Sequence, residues 1–545
     1  MTPAWALECW LWEDDHNTAE FVDELLEGYR KHDIPVRTVI LDSPWSHRYN
    51  DFRVDTLLYP NYKDWFAEKK EQGYRLVLWM TPNVNRYSKG LREPDSEEWY
   101  NQADSKGYLV KGKPTKWWKG EGGFIDYTDQ KAMEWWRSMQ QNVFDLGIDG
   151  WKLDGSATLF ANNLWGIPFF YKKGSQGWMN TRTYMDLYYR EEYLHGLTQN
   201  PEFVTLSRAL DRWYHPEGFS PIEASPVNWV GDQKHEWRTA EMLNQEEERT
   251  DIALDGIEDF ESAIKSILNS AKLGYNIIGS DIAGFSGSEI PARLYIRWAQ
   301  FSTFCGLFLN GGHGERRLWL RSKQELDLIR KFSWLHTELV PYMYHYVVKA
   351  HSGGRRLQVP IGKGYQYMFG DYLLVAPIYE DRKNWEVDLP EGNWRYFFDD
   401  MDLLEGGQRL ERDFPLKEFP VYVKEGAIIP MHISKSYSGI GEARDKGKLT
   451  LLCYPGSEYS AFTVYREQEE STKVELLPGS KSLKVNLSGK KTPHVLRIKL
   501  EGSPKVVNLD GASLASEEDF SYDLSRKQLV IRTEEYQVGE YLIEW

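Results

Sequence analysis

The chain has 545 residues, 41% of them hydrophobic and 27% charged, too many for a single core and too rich in core formers for long disorder. Its net charge of −16 excludes a general nucleic-acid binder that works by neutralising phosphates. No apolar run is long enough to span a bilayer, so no membrane partner is expected. The opening residues Met1–Trp10 lack the basic and apolar regions of a secretory signal. Cys9, Cys305 and Cys453 are too scattered for a disulfide framework. A cytoplasmic location is therefore slightly favoured over a secreted or periplasmic one whose signal has been removed.

Over the first ~345 residues, short apolar runs alternate with longer amphipathic stretches, the pattern of repeated β/α units. Eight strands are predicted: Leu7–Trp12, Thr38–Asp42, Leu76–Met80, Trp151–Asp154, Val204–Arg208, Asn228–Asp232, Ile277–Ile282 and Leu307–Gly311. Helices are predicted between or after them at Thr18–Lys31, Gln130–Leu146, Asp259–Leu273 and Lys323–Glu338. Eight such units indicate a (β/α)8 barrel over residues 1–347. A doubly wound sheet is the competitor, but no G-x-G-x-x-G follows an early strand. Stretches near 85–123 and 156–178 exceed a minimal unit and read as insertions at the active-site rim. Beyond Val348 the runs are short, β-branched or aromatic and punctuated by Gly, Pro, Asp and Ser. Two small antiparallel β-sandwiches are expected, at 348–432 and 433–545.

In a barrel the carboxyl ends of the strands carry the chemistry. Four predicted strands place a carboxylate there: Asp42, Asp154, Asp232 and Asp281. A fifth leads into Arg208. A single strand-end Asp is as readily a helix cap, but four together with Arg208 and Trp229 point to converging carboxylates. These serve either metal-assisted chemistry or a paired-carboxylate hydrolase. No H-E-x-x-H, Cys/His cluster, EF-hand loop, G-x-S-x-G or P-loop is present, which weakens the metal reading, and neither metal nor cofactor is expected. The 14% aromatic content fits either aromatic cores or sugar recognition by ring stacking.

Several blocks then resemble glycoside hydrolase family 31. They are F-I-D-Y-T-D-Q-K-A-M-E-W-W (Phe124–Trp136), G-I-D-G-W-K-L-D-G (Gly147–Gly155), N-W-V-G-D-Q (Asn228–Gln233), G-S-D-I-A-G-F (Gly279–Phe285) and I-R-W-A-Q (Ile296–Gln300) followed by His313. Farther on come F-G-D-Y-L-L-V-A-P-I (Phe369–Ile378), L-P-E-G-N-W (Leu389–Trp394) and V-K-E-G-A-I-I-P-M (Val423–Met431). The resemblance implies a retaining exo-α-glycosidase, α-glucosidase-like, acting on a carbohydrate substrate. It implies Asp154 as nucleophile and Asp232 as general acid/base. Asp42, Lys152, Arg208, Trp229, Asp281, Phe285 and His313 match positions that line or support the glycone subsite. These roles require an ionised Asp154, which Lys152 or Arg208 would favour, and a protonated Asp232, which burial and the Asp154 charge would favour.

The sequence departs from the family pattern in three places. The usual N-terminal β-sandwich is not found, and Gly155-Ser156-Ala157 follow the nucleophile where the family often has a Glu. Lys152 stands where starch-type α-glucosidases carry an aromatic residue. The K-x-D arrangement resembles the α-xylosidase branch and related α-galactosidases, so both specificities stay open. Transglycosylation and a non-catalytic carbohydrate-binding relative are further alternatives. An acceptor site built from Trp117 and Trp118 would favour transfer.

Overall fold

The computed structural model describes residues 1–90, 97–155, 162–164, 167–169, 171–208, 220–237, 259–362, 364–532 and 537–545. For 162–164, 167–169, 171, 181 and 469 the description extends to the backbone only. Eight parallel strands form the barrel: β1 Cys9–Leu11, β2 Thr38–Leu41, β3 Arg75–Met80, β4 Gly150–Leu153, β5 Val204–Arg208, β6 Val227–Trp229, β7 Ile277–Gly279 and β8 Phe308–Asn310. They pair in the order β7-β6-β5-β4-β3-β2-β1-β8. The ring closes where Asp281 bridges Leu309 in parallel and Ile282 N donates to Leu309 O at 2.9 Å. The strands are apolar on both faces and almost wholly buried, as parallel strands covered by helices must be.

The covering helices used below are α1 Ala19–Lys31, α2 Gln130–Phe144, α3 Phe260–Leu273, α4 Ala292–Ser302 and α5 Lys323–Glu338. Four of these five begin at a side-chain cap, and the fifth, α4, follows Pro291. The side chains of Thr18, Asp129 and Asp259 accept the N–H groups of Phe21, Ala132 and Ser262, each satisfying a donor that the first helical turn leaves open. Ser322 and Glu325 form a reciprocal capping box on α5. Thr18 and Asp259, the first residues of two predicted helices, are thus their caps.

Two insertions rise beside the carboxyl ends of the strands. After β3, Asn83–Ser88, Gly120–Phe124 and Thr115–Trp117 make a three-stranded antiparallel sheet with the helix Glu97–Ser105 alongside. After β4, Tyr171–Gly174 and Gly177–Asn180 form a hairpin; residues 156–161, 165–166 and 170 of the expected insertion lie outside the described residues. Lys111 N donates to Lys173 O at 2.9 Å, joining the two insertions.

Among the described residues, the part beyond 357 is built mainly of sheets, with short 3-10 turns at Ala443–Asp445 and Glu467–Glu469. A six-stranded antiparallel sheet over 358–424 is accompanied by the pair Asn384–Leu389 and Gln408–Asp413. Five- and six-stranded sheets follow. Ser471–Pro478 alternates buried and exposed side chains, the signature of a sheet with one face on a core. One pair, Leu449–Cys453 with His494–Lys499, is parallel within an otherwise antiparallel sheet. Ile428–Met431, which precedes the expected division at 433, pairs with Leu449–Cys453 beyond it.

Candidate active site

The predicted site residues sit at the carboxyl ends of the barrel strands: Asp42 after β2, Lys152 on and Asp154 after β4, Arg208 ending β5, Trp229 ending β6 with Asp232 beyond it, Asp281 after β7 and His313 after β8. Phe285 lies farther along the loop after β7. Parallel strands in register deliver these side chains to one end of the barrel.

Asp154 and Asp232 are brought together by Arg208. One guanidinium nitrogen lies 3.3 Å from Asp154 Oδ1 and 3.2 Å from Asp232 Oδ2. Gly231 suits this place: its φ is +98°, strained for any residue with a side chain, and an added Cβ would fall 2.6 Å from Arg208 Nη1 and push the guanidinium off its position. Asp154 also accepts the Trp79 indole N–H at 3.0 Å and the Gly155 N–H at 2.8 Å. Burial would raise its pKa, but Arg208, Lys152 and these two donors outweigh it and hold the carboxyl below its ordinary value. Asp232 differs from the buried acid expected. Its side chain is 46% exposed and faces the Arg208 cation.

A second group forms around Lys152. Its ammonium donates to Asp42 Oδ2 at 2.6 Å and lies 3.5 Å from the Trp12 ring centroid. Asp42 also accepts from Ser43 N at 2.8 Å. Burial drives the Asp42 pKa upward against the pull of Lys152. Burial alone would lower the Lys152 pKa, but Asp42, Asp281 and Asp154 raise it. The Trp12 indole N–H donates to Asp281 at 3.0 Å. Burial pushes Asp281 up to about 7 despite Lys152 nearby. Trp229 lies under the Arg208 guanidinium, 4.9 Å from ring to Cζ.

Phe285 is half-buried rather than core. It stacks on Trp12 with centroids 5.8 Å apart and meets the His313 ring at 4.8 Å. His313 is gripped by two carboxylates, Nδ1 at 2.6 Å from Asp15 and Nε2 at 3.0 Å from Asp14. These contacts, Asp14 first, raise its pKa to about 9 against the opposing effect of partial burial. Trp12, Asp14, Asp15 and Trp79 belong to the site and were not singled out from sequence. Their signal was position: each stands at or just beyond the carboxyl end of a barrel strand. Among the described residues, no group of three or more His, Cys, Asp or Glu side chains is arranged to hold a metal ion.

A closed eight-stranded parallel barrel with carboxylates converging at its strand ends, followed by antiparallel sheets, defines a (β/α)8-barrel protein with its polar site at the carboxyl face of the barrel. Residues 1–247 and 250–346 match the family model described as the glycosyl hydrolases family 31 TIM-barrel domain. Residues 358–429 match the family 31 C-terminal domain. The chain belongs to glycosyl hydrolase family 31. It is 25% identical over 484 residues to a 1,3-alpha-isomaltosidase of Kribbella flavida, covering 77% of this chain and 60% of that protein. It is 25% identical over 468 residues to an alpha-xylosidase of Emericella nidulans, covering 79% of this chain and 54% of that protein. The chain thus spans less than two thirds of the length of either relative. In fold it is similar to a family 31 dextranase of Flavobacterium johnsoniae solved with isomaltotriose, at TM-score 0.83 and 22% identity, covering 100% of this chain and 71% of that one.

Proposed function

We propose that the chain is a retaining α-glycosidase that removes terminal α-linked sugars by double displacement, with Asp154 as nucleophile and Asp232 as general acid/base. The observation that carries this reading is the Arg208 nitrogen shared by both carboxylates, at 3.3 and 3.2 Å. Their nearest oxygens can be no farther apart than about twice that reach. That closeness lets both carboxylates reach one glycosidic bond, as the roughly 5–5.5 Å carboxyl spacing of retaining enzymes requires.

The ionised Asp154 attacks the anomeric carbon while Asp232 gives its proton to the departing glycosidic oxygen. The C–O bond to the leaving group breaks as the glycosyl–Asp154 ester forms. Asp232, now a base, takes a proton from water, whose oxygen attacks the same carbon and frees Asp154. The exposure of Asp232 suits this double duty, because leaving group and water must exchange on its side.

The relatives' names support α-glucosyl or α-xylosyl substrates, and an α-glucoside is the first expected. Asp154→Ala should lose turnover. Azide entering the vacated face should restore part of it and give the β-glycosyl azide, whereas Asp232→Ala with azide should give the α-glycosyl azide. Near-normal turnover by Asp154→Ala without azide would overturn the assignment.

Transfer to a sugar acceptor shares the same ester intermediate, and one observation favours it as a second reading. Trp118 is 44% exposed and its ring lies 5.1 Å from that of Trp117, which in turn stacks 6.3 Å from Trp79. This aromatic run leads from solvent to the residue that donates to Asp154. Product analysis at high acceptor concentration separates transfer from hydrolysis.

A further inference from the structure

We infer that Asp14 reads a hydroxyl group of the glycone and that His313, the residue expected at that wall, positions Asp14 instead; this rests on the α-glycosidase reading above. An imidazole has two ring nitrogens with which to meet a ligand. In His313 both are taken, Nδ1 by Asp15 at 2.6 Å and Nε2 by Asp14 at 3.0 Å. The ring is also held by its backbone, which donates to Phe285 O at 2.8 Å, and by the Phe285 ring 4.8 Å away. Neither nitrogen remains to donate to a sugar.

The two carboxylates are not equivalent. Asp15 has both oxygens engaged, one by His313 and the other by the Gly314 N–H at 3.0 Å, and its side chain is 42% exposed where solvent competes. Asp14 spends one oxygen on His313, and among the described residues no other hydrogen bond reaches it. Its side chain is only 15% exposed, so it is largely enclosed yet still reachable. Asp14 also lies near enough to Asp42 and Tyr49 for its charge to be felt at both, which places it on the wall shared by the ends of β1 and β2. Asp42 already has both oxygens engaged there, one by Lys152 and one by Ser43 N. Asp14 therefore differs from both in holding, among the described residues, one carboxylate oxygen that no protein donor engages. An ionised acceptor binds a hydroxyl more strongly than a neutral one does. The same charge, added to that of Asp42, sets the wall against a glycone bearing a carboxylate.

The test compares kcat/KM for an aryl α-glycoside, its monodeoxy analogues at each ring position and the matching uronide, using wild type, Asp14→Asn and His313→Gln. Wild type should lose about a hundredfold on one deoxy analogue, the scale expected when a hydroxyl-reading group goes unpaired, and should reject the uronide. Asp14→Asn should lose a similar factor on the parent glycoside but less than about threefold more on that analogue, with the other penalties intact. His313→Gln cannot meet both carboxylates and should lose part of the discrimination at the same hydroxyl; a merely structural histidine would lower every substrate by one factor. If Asp14→Asn proves unstable by thermal melting, Asp14→Ser is the substitute. Unchanged wild-type penalties at every position in the Asp14 variant would overturn the inference while leaving the function standing. Failure of wild type to cleave any α-glycoside in a panel of glucosides, xylosides and galactosides would overturn both.

Discussion

Trp79 holds one side of the Asp154 carboxylate through a 3.0 Å hydrogen bond. A neutral donor to an ionised acceptor is worth about 1.5–3 kcal/mol, or roughly one to two units of the acceptor's pKa. Trp79→Phe keeps the ring and removes the donor. Its kcat/KM should fall about tenfold, and the acid limb of the pH–rate profile should move upward by about one unit, as measured on a single aryl glycoside. His313 makes a prediction of opposite sign. Asp14 and Asp15 raise its pKa from 6.5 to about 9, so its contribution to stability is full below pH 6.5 and lost as pH climbs through about 9. Solvent screening at a side chain 38% exposed limits this to about 1 kcal/mol. Urea denaturation between pH 6 and 10 should show that decline in wild type and not in His313→Gln. None of these partnerships could be read from the chain alone: Asp15 and His313 are separated by 298 positions, and Trp12 and Asp281 by 269. What was legible was the residue type at each strand end, because barrel geometry fixes where a strand end points. What was not legible was which neighbour each would meet, or that Asp232 would remain open to solvent, since loop conformation decides both.

The loops after β6, β7, β8 and β1 are tied to one another in sequence around the barrel mouth. Phe285 N donates to Gln233 O at 2.7 Å, His313 N donates to Phe285 O at 2.8 Å, and Asp15 receives His313. Arg316 is the buried tie, donating to Ile282 O at 2.6 Å, Gly284 O at 2.8 Å and His313 O at 2.9 Å. Arg316→Met should fill much of the space yet leave these carbonyls without their donors, costing about 3 kcal/mol in urea denaturation. Because the loops carry Phe285 and His313, activity should fall even well below the melting temperature. The strands were legible because all eight are short apolar runs closed by turn residues. Predicted ends ran farthest past the observed ones at β6 and β7: Val230–Asp232 turn into loop, and beyond Gly279 only the isolated Asp281–Leu309 bridge continues the pairing.

At the scale of the whole molecule, the barrel and the sheets that follow it share a buried seam. Arg297 on α4 is fully buried and donates to Glu418 O at 2.6 Å and to Phe414 O, and Gln300 donates to Leu416 O. Burial drives the Arg297 pKa down to about 10, so this cation is held by backbone carbonyls rather than by a carboxylate partner. Arg297→Ala should leave those carbonyls unpaired and cost about 3 kcal/mol or more. Calorimetry should show the loss in one shared transition; two separated transitions would mean that barrel and sheets unfold independently. The sequence announced the change from β/α units to sheets near Val348 but not the seam, because the block Ile296–Gln300 shows no sign of which backbone carbonyls Arg297 and Gln300 will meet.

Gly311 has a consequence that reaches beyond this molecule. A Cβ on it would lie 1.7 Å from Trp12 Cδ1, so the indole that carries the Lys152 ammonium can occupy its place only while position 311 has no side chain. The two positions lie at opposite ends of the barrel sequence but form one choice for evolution. Across an alignment of sequences that retain the K-x-D pair, they should co-vary: tryptophan at position 12 with glycine at 311, and a smaller residue at 12 wherever 311 has gained a side chain. Frequent tryptophan at 12 beside a branched residue at 311 would show that the ring can be seated some other way.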